Sequence, residues 1–412
     1  MRRLVFHIDV NSAYLSWESA RRVSEGGEDL RLIPAAVGGD REKRTGVVLA
    51  KSIPAKARGV QTGEPIAMAL RKCPELVLAK PDFRLYERSS KAFMDICREY
   101  APVVEKYSID ECFLDMSGTE RLYPDPLAAA NLIKNAIRER LGFTVNVGIS
   151  ENKVLAKMAS DFEKPDRVHT LYPQEIPEKL WPLPAGSLFS VGRSTAERLG
   201  KAHIRTVGEL ARYDLRALQS MLGAKAGQRL HEYANGIDPS PVLSEPEEAK
   251  GYSVSTTLEE DVTTWERAFQ VLAALADSAA SHMRSEGAKT SCISVALRSN
   301  DFKNRSHQKK LAEPTDITPE IYRVSKQLFS ELWNGTTPLR ALGVSLAEVS
   351  RGGCEQVSLF ADEGRERERR LDQTVDLLRS RFGAGSIMRG SAMGESQRVG
   401  RKYRAQEELK RK

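Results

Sequence analysis

No stretch of this 412-residue chain carries the roughly 18 consecutive apolar residues that a membrane-spanning helix needs. The opening "MRRLVFHIDV" turns polar too soon for a secretory signal, so a cytoplasmic location is the expectation. Cysteine is scarce: Cys73, Cys97, Cys112, Cys292 and Cys354 are odd in number, scattered, and form no C-x-x-C pair. That pattern argues against a disulfide framework or a thiolate zinc site and leaves the cysteines as small packing residues. Internal repetition is also lacking, apart from two Gly-bearing helical turns near residues 192 and 223.

What is present is enough sequence for several packed domains, with 41% hydrophobic and 29% charged residues. Lysine and arginine outnumber the acids 63 to 56, a net charge of +7 that favours a polyanionic partner. The expected fold is α+β and multidomain. "RLVFHID" reads as a strand ending at Asp9, "ERSSKAFMDICREYA" as a helix, and residues 103–108 and 111–116 as a hairpin bent at Ile109 and Asp110. "DPLAAANLIKNAIRERLG" opens on an Asp125 cap with Pro126 in the first turn, stops at Gly142, and hands over to the strand "FTVNVGIS". Strand, helix, strand, strand, helix, strand is the split βαβ order of a ferredoxin-like domain, here with residues 10 to about 85 inserted after the first strand. From 166 the pattern is helical with Gly-bearing turns, and "DPSPVLSEPEEAKG" (238–251) has the composition of a tether or exposed boundary. Residues 251–350 read as a small α+β domain, followed by a polar tail with one helix near 365–383.

The unusual feature is "YSIDECFLDM" (107–116), which sets Asp110 and Glu111 side by side at a hairpin tip. Taken alone, it is an ordinary solvated turn. The ferredoxin-like order, however, puts Asp9 on a central strand beside that tip, so three carboxylates are expected to converge. Such a set suits a hard divalent cation, above all Mg²⁺. In a two-metal site, Asp9 and Asp110 would bridge both ions, Glu111 would complete the coordination of the first ion and the Val10 carbonyl would ligate the second ion. The competing reading leaves Asp9 as a strand end next to Asn11, a helix-cap candidate.

"FHIDVNSAYLSWE", "YSIDECFLD", "VGISENKVLAKMASDFEKP" (147–165) and the helix-hairpin-helix "SVGRSTAERLGKAHIRTVGEL" occur in that order, and together they resemble the Y-family translesion DNA polymerases of the polymerase IV type. The resemblance spans most of residues 1–350. It implies a ferredoxin-like palm (1–10 and 85–165), inserted fingers (11–84), a helical thumb (166–237), a linker (238–250), a little finger (251–350) and a tail (351–412). It places the catalytic carboxylates at Asp9, Asp110 and Glu111 with two Mg²⁺ ions, a steric gate against ribose at Tyr14, and a triphosphate-binding lysine at Lys164. Where many family members carry Tyr and Arg against the nucleotide, "SIPAKARGV" has Ile53 and Lys56, so Ser52, Ile53 and Lys56 are the nucleotide-pocket candidates. Lys56 keeps a charge but lacks the bidentate fork of Arg.

In the thumb, Gly192, Arg193 and Ser194 open a helix whose N-terminal N–H groups would meet a DNA phosphate. The basic run 284–310 would neutralise further backbone charge. "QVSLF" (356–360) resembles the peptide by which bacterial polymerases dock on the sliding clamp, with Gln356, Leu359 and Phe360 as its contacts. The expected partners are therefore primer-template DNA, dNTPs and a clamp, for a monomer that does not touch membranes. Two other readings share parts of this pattern: a palm-type nucleotidyl cyclase, and a non-catalytic, clamp-bound DNA scaffold.

Overall fold

The computed structural model describes residues 3–39, 46–245, 247–352 and 363–392, and the chain divides near residue 246 into two compact units. The first begins with β1 (Val5–Val10), all six residues buried, followed by α1 (Ala13–Ser24). The insert then builds a small sheet from β2 (Ala35–Gly38), β3 (Val48–Lys51) and β4 (Val77–Ala79), in the order β3-β2-β4. It also carries the short helices α2 (Ile53–Ala57) and α3 (Ile66–Lys72). The chain returns through α4 (Phe83–Tyr100), the hairpin β5 (Val103–Lys106) and β6 (Glu111–Asp115), then α5 (Pro126–Leu141) and β7 (Val145–Ser150).

The main sheet has the order β5-β6-β1-β7, as the ferredoxin-like reading requires, and β8 (Val168–Thr170) extends it by pairing parallel to β7. The caps are those the sequence signals: Asp125 accepts from the Leu127 N–H, and Gly142 ends α5 at φ 74°, a left-handed value that glycine adopts without strain. Between β7 and β8 lies α6 (Lys153–Ser160), packed on β1 and β7. Its approach depends on Gly148: a Cβ there would sit 2.0 Å from the Ala156 carbonyl oxygen and 2.4 Å from the Ser160 nitrogen.

The insert is not separate from the core of the main sheet. Leu15, Trp17, Leu30, Val37 and Ala50 belong to the same buried cluster as Phe6, Ile8, Phe93, Leu114 and Ile133. Residues 238–243, expected as a tether, are also docked. Val242 packs with Val5, Phe113 and Ala156, the Asp238 carboxylate accepts from the Val154 N–H at 3.1 Å, and Glu105 accepts from the Leu243 N–H at 2.8 Å. Composition signalled a linker there, but the start of α6 and the Glu105 carboxylate give its backbone partners. The helices α7 (Arg193–Lys201), α8 (Val207–Arg212), α9 (Leu215–Leu222) and α10 (Ala224–Ala234) pack around Leu199, Val207, Leu210, Leu218 and Leu230, in one cluster with Val154, Leu155 and Met158 of α6.

The second unit is a four-stranded antiparallel sheet, β11-β10-β12-β9, made from β9 (Gly251–Val262), β10 (Ala288–Ser299), β11 (Asn304–Thr315) and β12 (Leu339–Arg351). Two helices, α11 (Trp265–Ser285) and α12 (Thr318–Leu332), pack against each other and against this sheet. The helix expected near 365–383 is present as α13 (Glu363–Phe382), but it is no free tail. Its Asp372, 1% exposed, accepts from the Thr318 N–H, and Asp376 pairs with the Arg284 guanidinium at 2.7 Å. Arg379 reaches Asp277 at 2.7 Å. Ion pairing, invisible to a search for apolar periodicity, fixes α13 to α11 and α12. Among the described residues the cysteines Cys73, Cys97, Cys112 and Cys292 are buried and unbonded, and no helix is long and apolar enough to cross a membrane. The "QVSLF" segment, with Gln356, Leu359 and Phe360, lies outside the described residues.

Candidate active site

β1 is the central strand, and its antiparallel register with β6 makes Asp9 the direct neighbour of Glu111. The Val10 N–H donates to the Asp110 carbonyl at 3.0 Å, which brings the hairpin tip against the end of β1. The backbone thus gathers all three acids, as the topology predicted, but the side chains are distributed differently from the expected cluster. Asp110 turns aside to accept from the Ser108 hydroxyl at 2.7 Å. Among the described residues no three His, Cys, Asp or Glu side chains stand ready to hold a metal together.

In place of a third acid, two lysines face the pair. Lys164 donates to Asp9 Oδ2 at 2.8 Å, and Lys157 donates to Glu111 Oε1 at 2.8 Å while lying 3.9 Å from Asp9 Oδ2. Behind Glu111 is fully buried His7, whose Nε2 stands 3.7 Å from Oε2, beyond hydrogen-bond reach, while its Nδ1 meets the Ser160 hydroxyl at 2.8 Å. Burial raises Asp9 to about 6, although the Lys164 and Lys157 ammonium groups pull the other way. Burial works in the same direction on Glu111, but the Lys157 ammonium at 2.8 Å opposes it and holds that carboxyl below its usual range. The two neighbours are thus poised oppositely, Asp9 raised by its burial and Glu111 held low by Lys157.

The chemistry of the Asp9 and Glu111 oxygens is that of a hard cation's ligands, and two ammonium groups occupy the cation's side of both acids. The Asp9 shift carries a stability consequence of definite sign. Its folded pKa of about 6 lies above the ordinary value of 3.8, so above pH 6 the folded state bears a charge whose burial cost the two lysines offset only in part, and below pH 4 it bears none. With metal chelated, Asp9→Asn is expected to stabilise the chain at pH 7.5 by about 3 kcal/mol, with most of the gain gone by about pH 4. Thermal melts at the two pH values check this, and an equal offset at both would show that Asp9 carries no such cost.

Tyr14 lies one turn along from Asp9, in α1. Its ring stacks on Tyr86 at 4.6 Å and 19°, meets Phe83 edge-on at 6.2 Å and tilts against Trp17 at 5.8 Å. It is half-buried, and burial together with the Asp110 charge pushes its hydroxyl up. The ring is therefore both a member of the aromatic cluster and a close neighbour of the acids.

The other candidates separate by what their side chains already do. Ser52 is 2% exposed and caps α2: its hydroxyl donates to the Ile33 carbonyl and accepts from the Ala35 and Ala55 N–H groups. That hydroxyl has no donor left for a nucleotide. Ile53, 60% exposed, and Lys56 stand free of the core on the same helix. Asn11 does not cap α1. Its side chain bonds Asn146, Thr144 and the Asp166 N–H, and Asn146 in turn holds the Ser160 and Glu163 carbonyls. This buried amide pair fixes the loop that carries Lys164. In the thumb, Gly192 begins α7, and a Cβ there would meet nothing within 4 Å. Open space stands before the first N–H groups of α7, and Arg193 and Ser194 are exposed beside it.

Sequence reasoning missed His7, Asn146, Lys157 and Ser160, and gave Asn11 a different role. The one signal available was a lysine inside the apolar run "KVLAKMAS", where a charge needs a partner.

Residues 8–161 match the impB/mucB/samB family, residues 249–359 its C-terminal domain, and residues 186–238 the thumb domain of DNA polymerase iota. DNA polymerase IV of Clostridium acetobutylicum is 42% identical over 390 residues, covering 94% of this chain and 98% of that protein. The chain belongs to the Y family of DNA polymerases. DNA polymerase IV of Clostridium kluyveri is 35% identical over 405 residues, covering 96% of this chain and 100% of that protein. A solved Y-family DNA polymerase chimera shares the fold at a TM-score of 0.73 and 23% identity, covering 85% of this chain and all of that one. These matches favour a polymerase over the cyclase and scaffold readings.

Proposed function

We propose that the acids at the end of β1 and the start of β6 carry template-directed addition of dNTPs to a primer 3′-end, as low-fidelity translesion synthesis without proofreading. The observation that carries this reading is the register of Asp9 opposite Glu111, with Asp110 bound through its backbone to Val10, in a Y-family chain. Asp9, Asp110, Glu111 and the Val10 carbonyl would hold two Mg²⁺ ions, which when bound activate the 3′-hydroxyl and neutralise the departing pyrophosphate. Asp110 would leave Ser108 to join its neighbours. Lys164, about one third exposed, is free enough to pass from Asp9 to the triphosphate, and Tyr14 would wall the sugar. Lys56 would approach the phosphates as a point charge from α2. Gly192, Arg193 and Ser194 would receive a DNA phosphate at the start of α7. Primer extension on an undamaged primer-template tests the function: synthesis with dNTPs and Mg²⁺ and none with EDTA supports it, while duplex binding without synthesis favours a scaffold.

The clamp reading of Gln356, Leu359 and Phe360 rests on the motif alone. Deleting 356–360 is expected to abolish capture by an immobilised bacterial clamp while basal extension stays within about twofold, since the palm residues are untouched. Capture retained by the deletion variant would refute it. The proposed substrates, DNA and dNTPs, agree with work as a monomer in the cytoplasm.

A further inference from the structure

We propose that Lys157 is the resident counter-cation of the acid site, holding Glu111 and Asp9 until a divalent cation arrives and competing with it, so that this lysine sets how much metal the polymerase needs. The proposal deepens the reading of Asp9 and Glu111 as metal ligands and rests on it.

The two lysines at the site are built differently. Lys164 follows α6 on a loop, 36% exposed, and shares itself between Asp9 and Asp161 at 2.8 Å each. Lys157 is 10% exposed and projects from within α6, with Glu111 at 2.8 Å, Asp161 at 3.8 Å and Asp9 at 3.9 Å. Its backbone is fixed from below, because the Ser160 hydroxyl donates to the Lys157 carbonyl at 2.8 Å. That hydroxyl has one proton, so His7 Nδ1 must supply the hydrogen of the contact between them. Gly148 allows the whole helix to lie close on β7. The backbone of Lys157 is thus fixed, and its ammonium, 10% exposed, is held by Glu111 with Asp161 and Asp9 beside it.

A hard divalent cation seeks the same oxygens. Two positive charges about 4 Å apart repel strongly at the effective dielectric of a partly buried site. The metal must then bind against the ammonium or push it aside, and either way its affinity is lowered. The benefit is a free enzyme whose buried carboxylate does not stand unpaired, an arrangement that is costly when one partner is removed.

The test is a Mn²⁺ titration of the full chain without DNA, followed by electron paramagnetic resonance of the free ion. Lys157→Gln keeps a donor for Glu111 without the charge, Lys157→Met removes both should Gln perturb the fold, and Lys157→Arg keeps the charge. Melting temperatures in EDTA and in Mn²⁺ establish that each variant is folded. Either neutral variant is expected to bind Mn²⁺ at least about tenfold more tightly than wild type, with Lys157→Arg close to wild type. Half-saturating Mg²⁺ in primer extension should fall in parallel while KM for dNTP holds. Unchanged Mn²⁺ affinity in a folded neutral variant overturns the proposal, and a raised KM for dNTP at unchanged Mn²⁺ affinity makes Lys157 a triphosphate contact instead. Glu111→Gln separates the two levels of inference: if wild-type binding is absent, or does not weaken in that variant, the metal reading itself fails.

Discussion

Replacing Asp110 and Glu111 together by alanine is expected to reduce primer extension at least about 10⁴-fold, the scale of loss when a catalytic unit is dismantled. Glu111 begins β6 directly opposite Asp9, and the Asp110 carbonyl accepts from Val10 through the backbone, which alanine keeps. The hairpin should survive, because its pairing runs from Val103 opposite Asp115 to Lys106 opposite Cys112, short of both acids. Affinity for primer-template should therefore stay within a few-fold in a gel shift, since the contacts proposed for DNA lie in the thumb and little finger. Lost extension with binding retained would assign the acids to chemistry. Extension unchanged in the double variant would remove them from the mechanism, whatever the family relationship. The effect on stability should be small and of mixed sign, because Lys157 loses Glu111 but keeps Asp161 and Asp9 nearby.

The second large effect concerns sugar choice. Tyr14→Ala is expected to lower discrimination between dNTP and rNTP, measured as the ratio of kcat/KM values, by about 100-fold, since a steric wall rejects by clash and its removal leaves nothing in its place. The wall is rigid for a structural reason: Tyr86 stacks on it, and the Tyr86 hydroxyl donates to the buried Glu18 carboxylate at 3.1 Å, which fixes the whole cluster to α1. A ring held on one face and one edge cannot swing away from a 2′-hydroxyl at low cost. An unchanged ratio would confine Tyr14 to packing. A loss of dNTP incorporation as large as the gain with rNTP would show that the ring supports the site rather than selecting within it.

Much of the palm was legible in the chain. The period-2 strands, the Asp125 and Gly142 caps and the hairpin at 109–110 each follow from local preferences, and together they imply the strand order that sets Asp9 beside Glu111. Local signals do not say where a side chain finds its hydrogen bond. Ser52 looked available to a ligand and is consumed by three backbone partners. Asn11 looked like a cap and instead ties two loops together. Residues 238–243 and α13 read as tether and tail because their partners, Glu105 and α6 in one case and Asp277, Arg284 and Thr318 in the other, are distant in sequence.

The sequence by itself determined the split βαβ elements, the order in which they pair and the residue types able to hold a hard cation, because strand period, helix caps and turn chemistry act over a few neighbouring residues. Only the tertiary structure decided the charge state of the site. Which carboxylate is raised and which is held low depends on burial and on ammonium groups that reach Asp9 and Glu111 from α6 and the loop after it, and electrostatic energy depends on distance in space rather than along the chain.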